Sequence, residues 1–159
     1  MEPPSPARLY AAAVGALLLV LGVVGFFYSA SFGAPGDVQA ALGVLRVNAW
    51  LNLLYVAAGA LGLLLAGNAS RPYALAAGSL FTVLAIWGFV LDPGEAIAGF
   101  LPAAAGNETL NLSLGLLGLA AAAGTPKASK SSRGSKRTNA VQKEPRNSEP
   151  RAQAAGKGA

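Results

Sequence analysis

The hexapeptide Asn48-Ala49-Trp50-Leu51-Asn52-Leu53 returns as Asn107-Glu108-Thr109-Leu110-Asn111-Leu112, each time at the head of an apolar run. In both copies two asparagines stand four residues apart, which places them on one face of a helix. Apolar runs of about 20 residues are long enough to cross the hydrocarbon core of a bilayer. The repeated stretch therefore reads as an internal duplication in a membrane domain, with amides at the same level of two helices.

Composition points the same way. The chain is 53% hydrophobic and only 12% charged, against about 25% charged in soluble domains. Its 159 residues give room for about four spans and a tail. Cysteine and histidine are both absent, so disulfides, thiolate nucleophiles and imidazole bases or metal ligands are excluded.

Four helices are expected, over residues 9–29, 48–66, 72–91 and 107–123. The first run, Leu9 to Ser29, carries no charge. A cleaved signal peptide is a rival reading of it, but the run exceeds the usual apolar region of such peptides. The second begins at Asn48 and stops at Gly67-Asn68, before Arg71-Pro72. Pro72 suits the first turn of the third helix, which Asp92-Pro93-Gly94 ends. Helices 1 and 3 also match at a constant offset: Gly15, Leu17, Val20, Leu21, Gly25 and Phe26 fall on Gly78, Leu80, Val83, Leu84, Gly88 and Phe89. The expected fold is an all-α integral membrane four-helix bundle made of two parallel two-helix repeats.

From residue 124 to 159 the composition changes to Lys, Arg, Ser, Pro, Gln and Gly, and a disordered basic tail is expected. It holds nine basic residues against Glu144 and Glu149. With Arg8 and Arg71 on the same side and only Arg46 opposite, the positive-inside rule puts both termini in the cytoplasm of a cell membrane protein.

Asn48, Asn52, Tyr55, Gly59 and Gly62 form one stripe of the second helix, and Asn107, Asn111, Gly115 and Gly118 one stripe of the fourth. Small and amide residues on one face suit close helix packing in lipid. The sharper alternative is an intramembrane polar cluster of Asn48, Asn52, Tyr55, Asn107, Glu108 and Asn111 that binds a ligand, a lipid headgroup or an ion. Glu108 and Arg46 are candidates for an interfacial ion pair near the membrane surface. Lys127, Lys130, Arg133, Lys136 and Arg137 form a juxtamembrane basic cluster suited to anionic lipid headgroups. No aromatic residues interleave with those charges, so nucleic acid is not an expected partner. Three glycosylation tripeptides, beginning at Asn68, Asn107 and Asn111, are discounted because they fall on the cytoplasmic side or in or beside a span. No phosphate-binding loop, paired carboxylates or nucleophile with a base is present, and no cofactor is expected.

These residues resemble an uncharacterised bacterial family of four-helix membrane proteins, domain of unknown function 4383, over about residues 8 to 123. The likeness rests on Val47-Asn48, Leu51-Asn52, Tyr55, Gly59 and Gly62, and on Leu110-Asn111 with Gly115. It implies a membrane location and a four-helix fold. This chain has Leu51, Tyr55 and Asn111 where the family carries histidines, so an imidazole-dependent role does not transfer. The function expected is that of a non-enzymatic membrane protein acting through lipid or protein contacts. The alternative is a small transporter or channel component using the outer-leaflet polar site.

Overall fold

The computed structural model describes residues 3–32, 39–41, 43–92 and 95–126. Four helices account for most of them. Ser5 caps α1 (Pro6–Tyr28) by accepting the Arg8 N–H, and Pro6 occupies the first helical position, where a missing donor costs nothing. This cap starts the helix three residues ahead of Leu9, where the apolar run begins. Two short strands follow, β1 (Gln39–Ala41) and β2 (Leu45–Val47), paired antiparallel. Asn48 then caps α2 (Ala49–Leu65), its Oδ1 accepting the Leu51 N–H at 2.9 Å.

A short link leads into α3 (Ser70–Val90), whose first turn contains Arg71 and Pro72. The strands β3 (Ala96–Ile97) and β4 (Leu101–Pro102) make a second antiparallel ladder ahead of α4 (Ala105–Ala123). The order helix, hairpin, helix thus occurs twice. Both hairpins turn on a glycine with positive φ, Gly43 at 76° and Gly99 at 81°, a conformation that other residues adopt only at a cost. Neither hairpin was expected from the sequence, because ladders of two or three residues carry no readable alternation.

α1 packs antiparallel against α2, and α3 against α4, through glycine. A Cβ on Gly15 would lie 3.0 Å from the Gly59 carbonyl oxygen and 3.0 Å from the Leu63 nitrogen. A Cβ on Gly78 would lie 3.0 Å from the Gly115 carbonyl oxygen and 2.7 Å from the Leu119 nitrogen. Backbones therefore touch where any side chain would part them. The two helix pairs are then tied by a tyrosine from each: the Tyr10 hydroxyl donates to Leu114 O and the Tyr73 hydroxyl to Ala58 O, both at 2.9 Å. The two rings meet with centroids 6.3 Å apart.

Apolar residues fill the core, Leu18, Leu51, Phe81 and Leu114 among them, but they also cover the outside, and polar groups are buried beside them. Glycine, alanine, asparagine, tyrosine and Glu108 face inward together with Val14, Leu84 and these core residues. Phe27, Leu64, Val90, Leu116 and Leu117 face outward, each more than half exposed. Two helices, α1 with 23 residues and α3 with 21, are long and apolar enough to cross a membrane. α2 has 17 residues and α4 has 19, about 25 and 28 Å at 1.5 Å per residue.

Candidate functional site: a buried amide and carboxyl cluster

The six residues Asn48, Asn52, Tyr55, Asn107, Glu108 and Asn111 are all buried, and they do three separate jobs. The first is to fasten the hairpins. The Asn48 side-chain amide donates to Phe100 O at 2.6 Å, at the tip of the second hairpin. Asn107 grips β2 from both sides: its Oδ1 accepts the Arg46 N–H at 3.0 Å and its Nδ2 donates to Arg46 O at 2.7 Å. Each hairpin is thus held by an asparagine at the head of the other half's helix, and one carbonyl of each, Arg46 O and Phe100 O, is satisfied by protein.

The second job is to join α2 to α4. The Tyr55 hydroxyl donates to Asn111 Oδ1 at 3.1 Å, and both residues are about 2% exposed. The amides of Asn52 and Asn111 do not bond each other. Asn52 instead donates to Ser29 O at 2.9 Å, satisfying a carbonyl left open at the end of α1.

The third is to close α4. Its cap residue Ala104 has no side-chain acceptor, and Glu108 supplies one by accepting the Ala104 N–H on Oε1 at 3.0 Å. A carboxyl in the first turn also faces the positive end of the helix dipole. The expected pair between Glu108 and Arg46 does not form. Glu108 is 1% exposed and faces Gly88 inside the bundle, whereas Arg46 is exposed. What holds Arg46 is Asn107, through the backbone.

Two buried oxygens in this cluster have no hydrogen-bond donor, Asn52 Oδ1 and Glu108 Oε2. They occupy matching places. Asn52 packs on Gly25 of α1, and Glu108 on Gly88 of α3, so closely that a Cβ on either glycine would collide with the side chain. Among the described residues no cluster of three or more Asp and Glu could hold a metal ion.

Tyr55 and Asn111 are 56 residues apart. The same spacing relates the turn glycines Gly43 and Gly99, the cap residues Asn48 and Ala104, the orphan pair Asn52 and Glu108, and the packing glycines Gly59 and Gly115. Matching α2 to α4 by structure therefore sets Asn52 against Glu108, three residues away from the match that the asparagines suggest. The sequence also passed over Ser29, Tyr10, Tyr73 and Phe100 as partners. A paired signal for the tyrosines was available, since Tyr10 and Tyr73 stand at the offset that relates Gly15 to Gly78. Lys127, Lys130, Arg133, Lys136 and Arg137 lie outside the described residues.

The fold and the cluster together define a helical protein with amide and carboxyl side chains buried in its core, large apolar residues exposed on its outside, and, among the described residues, two helices long and apolar enough to cross a membrane. The chain belongs to the family described as Domain of unknown function (DUF4383), whose model matches residues 8–124. No curated protein and no solved structure matches it.

Proposed function

We propose that this is a non-enzymatic, multi-pass protein of the cell membrane that acts through lipid or protein contacts. All four helices span, as two parallel two-helix repeats, and both termini are cytoplasmic. The observation that carries the reading is the outer surface: large apolar side chains stand exposed on all four helices, among them Phe27, Leu64, Val90 and Leu117, while five amide or carboxyl side chains, Asn48, Asn52, Asn107, Glu108 and Asn111, are buried. In water such a surface would aggregate, whereas in lipid it is the surface required. Small residues at the contacts are likewise what drives association where no hydrophobic effect acts between helices. The short α2 and α4 are each entered through a hairpin fastened by asparagine, and the ladder and the asparagine together satisfy part of its non-helical backbone from within the protein.

Exposed Trp50, Trp87 and Tyr28 lie towards the hairpin ends of their helices, as an aromatic belt would. Arg8 and Arg71 stand at the opposite end, the side on which the positive-inside rule puts the cytoplasm. A repeated frame is supported by the matched glycine contacts, the two tyrosine braces and the two hairpins. Topology reporters fused after Lys157 and within the hairpins test the arrangement. The tail fusion should report cytoplasm and the hairpin fusions the outside, and one common location for both would overturn it.

A small transporter or channel component is the second reading, and the unpartnered oxygens of Asn52 and Glu108 favour it. Against it, both oxygens pack directly on glycine. Ion flux into proteoliposomes no faster than into protein-free vesicles is the expected result.

A further inference from the structure

The two halves share a frame, yet their lateral seams differ. Between α1 and α4 runs an open apolar groove of about 710 Å³ lined by Leu17, Leu21, Val44, Gly106, Thr109 and Ser113 among others. The matching residues of the seam between α3 and α2 are Leu80, Leu84, Phe100, Trp50, Leu53 and Ala57. Across that second seam two rings of the chain meet: Trp50 and Phe100 stand edge-on with centroids 5.7 Å apart, each about 40% exposed on its outer side. Beneath them Ala49, Leu84 and Leu101 are 0%, 8% and 6% exposed. Their counterparts in the open seam are less covered, Ala105 being exposed and Leu21 and Leu45 half-buried. The open seam has lost both rings, with Gly106 in place of Trp50 and Val44 in place of Phe100.

We infer that the groove between α1 and α4 is a binding slot for one acyl chain of a phospholipid in the hairpin-side leaflet. This rests on the membrane reading above. The closed seam states what the position requires, namely apolar bulk where two aromatic rings otherwise stand. The slot runs along the helices from Ala105 to Ser113, about 12 Å at 1.5 Å per residue, which suits a chain lying parallel to them. Its volume is within the range of about 300–1,000 Å³ found for small-ligand sites. Thr109 and Ser113 make no polar demand on an occupant, because each hydroxyl donates to the carbonyl four residues earlier, at 2.7 and 2.8 Å. At the hairpin end the open seam carries the exposed Arg46, where the closed one has Pro102, so a cation stands at the end where a lipid phosphate would lie.

The test is photolabelling of the full chain in vesicles containing phosphatidylcholine with a diazirine on one acyl chain, with adducts mapped by peptide mass spectrometry. Adducts at Leu17, Leu21, Thr109 and Ser113 should exceed those at Leu80, Leu84, Leu53 and Ala57 by about fivefold, as a site held about 1 kcal/mol above bulk lipid would give. The double substitution Val44→Phe/Thr109→Leu, which copies the closed seam, should bring the ratio near one while Val20 and Leu116 stay labelled. Gly106→Trp is the more obvious copy, but a Cβ there collides with the Val44 carbonyl oxygen, so it tests folding instead. Equal labelling of the two seams, or an enrichment unchanged by the double substitution, overturns the slot. Adducts joining two copies through these residues overturn it in favour of a protein partner. Absence of label at Val20 and Leu116 as well would sink the membrane reading itself, and the slot with it.

Discussion

At one position in the first half an amide, Asn52, lies against Gly25; at the matching position in the second half a carboxyl, Glu108, lies against Gly88. The surroundings agree almost contact for contact, and the functional groups do not. The agreement sits where backbones touch, at Gly15 on Gly59 and Gly78 on Gly115, because nothing larger than hydrogen fits there. The divergence sits where a side chain fills space or supplies one bond. Asn52 is needed by an open carbonyl at the end of α1, and Glu108 by an open N–H at the start of α4. Shared positions thus describe the frame, and differing positions describe what each half does.

The largest effect should come from breaking the shared part. Gly59→Val and Gly115→Val each force a side chain onto a backbone that cannot retreat, and should cost about 3 kcal/mol, at the upper end of typical overpacking. Gly67→Ala, which meets nothing within 4 Å, should stay within about 0.5 kcal/mol. Unfolding titrations in mixed micelles would compare the three, and a tolerant Gly115 beside an intolerant Gly59 would show that the halves are not held alike.

The differing part should respond unequally. Asn52→Asp replaces the donor to Ser29 O with a second acceptor, and should cost about 2 kcal/mol. Glu108→Gln keeps an oxygen for the Ala104 N–H and should change stability by about 0.5 kcal/mol, the worth of a charge at a helix end. The same unfolding assay decides it. Equal losses would mean that the carboxyl is needed as a charge and not only as an acceptor.

The tyrosine braces fall between frame and difference. Tyr10→Phe and Tyr73→Phe each remove one hydrogen bond to a helix carbonyl, so each should cost about 1 kcal/mol, and the two losses should agree within error. A loss confined to one of them would break the equivalence of the halves at the end away from the hairpins.

How far the frame is legible in the sequence depends on which residues carry it. Glycines and prolines announce themselves, so the four apolar helices and the stripes Asn52-Tyr55-Gly59-Gly62 and Asn111-Gly115-Gly118 can be read directly, and the structure buries them all. The matching of α2 to α4 cannot be read so easily. Pairing asparagine with asparagine gives a register three residues from the one that the contacts obey. Three residues are nearly one helical turn, so the mistaken register keeps every side chain on its proper face and looks consistent. The true register sets Asn against Glu and Tyr against Asn, pairs that no likeness of residue type would suggest. Hairpins escape for a different reason, since Gly43 and Gly99 are their one sequence signal and the ladders beside them are only three and two residue pairs long.

The smallest and sharpest prediction concerns the bond that crosses between the halves, Tyr55 to Asn111. These two residues occupy matching positions, so a single hydroxyl and a single amide meet where a perfectly repeated chain would bring two like groups together. Tyr55→Phe leaves Asn111 Oδ1 without a donor, and Asn111→Leu leaves the Tyr55 hydroxyl without an acceptor, both among buried neighbours. A double-mutant cycle isolates what the pair contributes, because the second substitution removes a partner that is already lost. Interhelical hydrogen bonds in lipid average about 0.6 kcal/mol, and the coupling here should be of that order. The cycle Asn52→Leu with Asn111→Leu should instead be additive, since Asn52 is bonded to Ser29 and not to Asn111. Coupling in the second cycle and none in the first would return the register to the one that the asparagines suggest, and with it the comparison of the two seams would lose its basis.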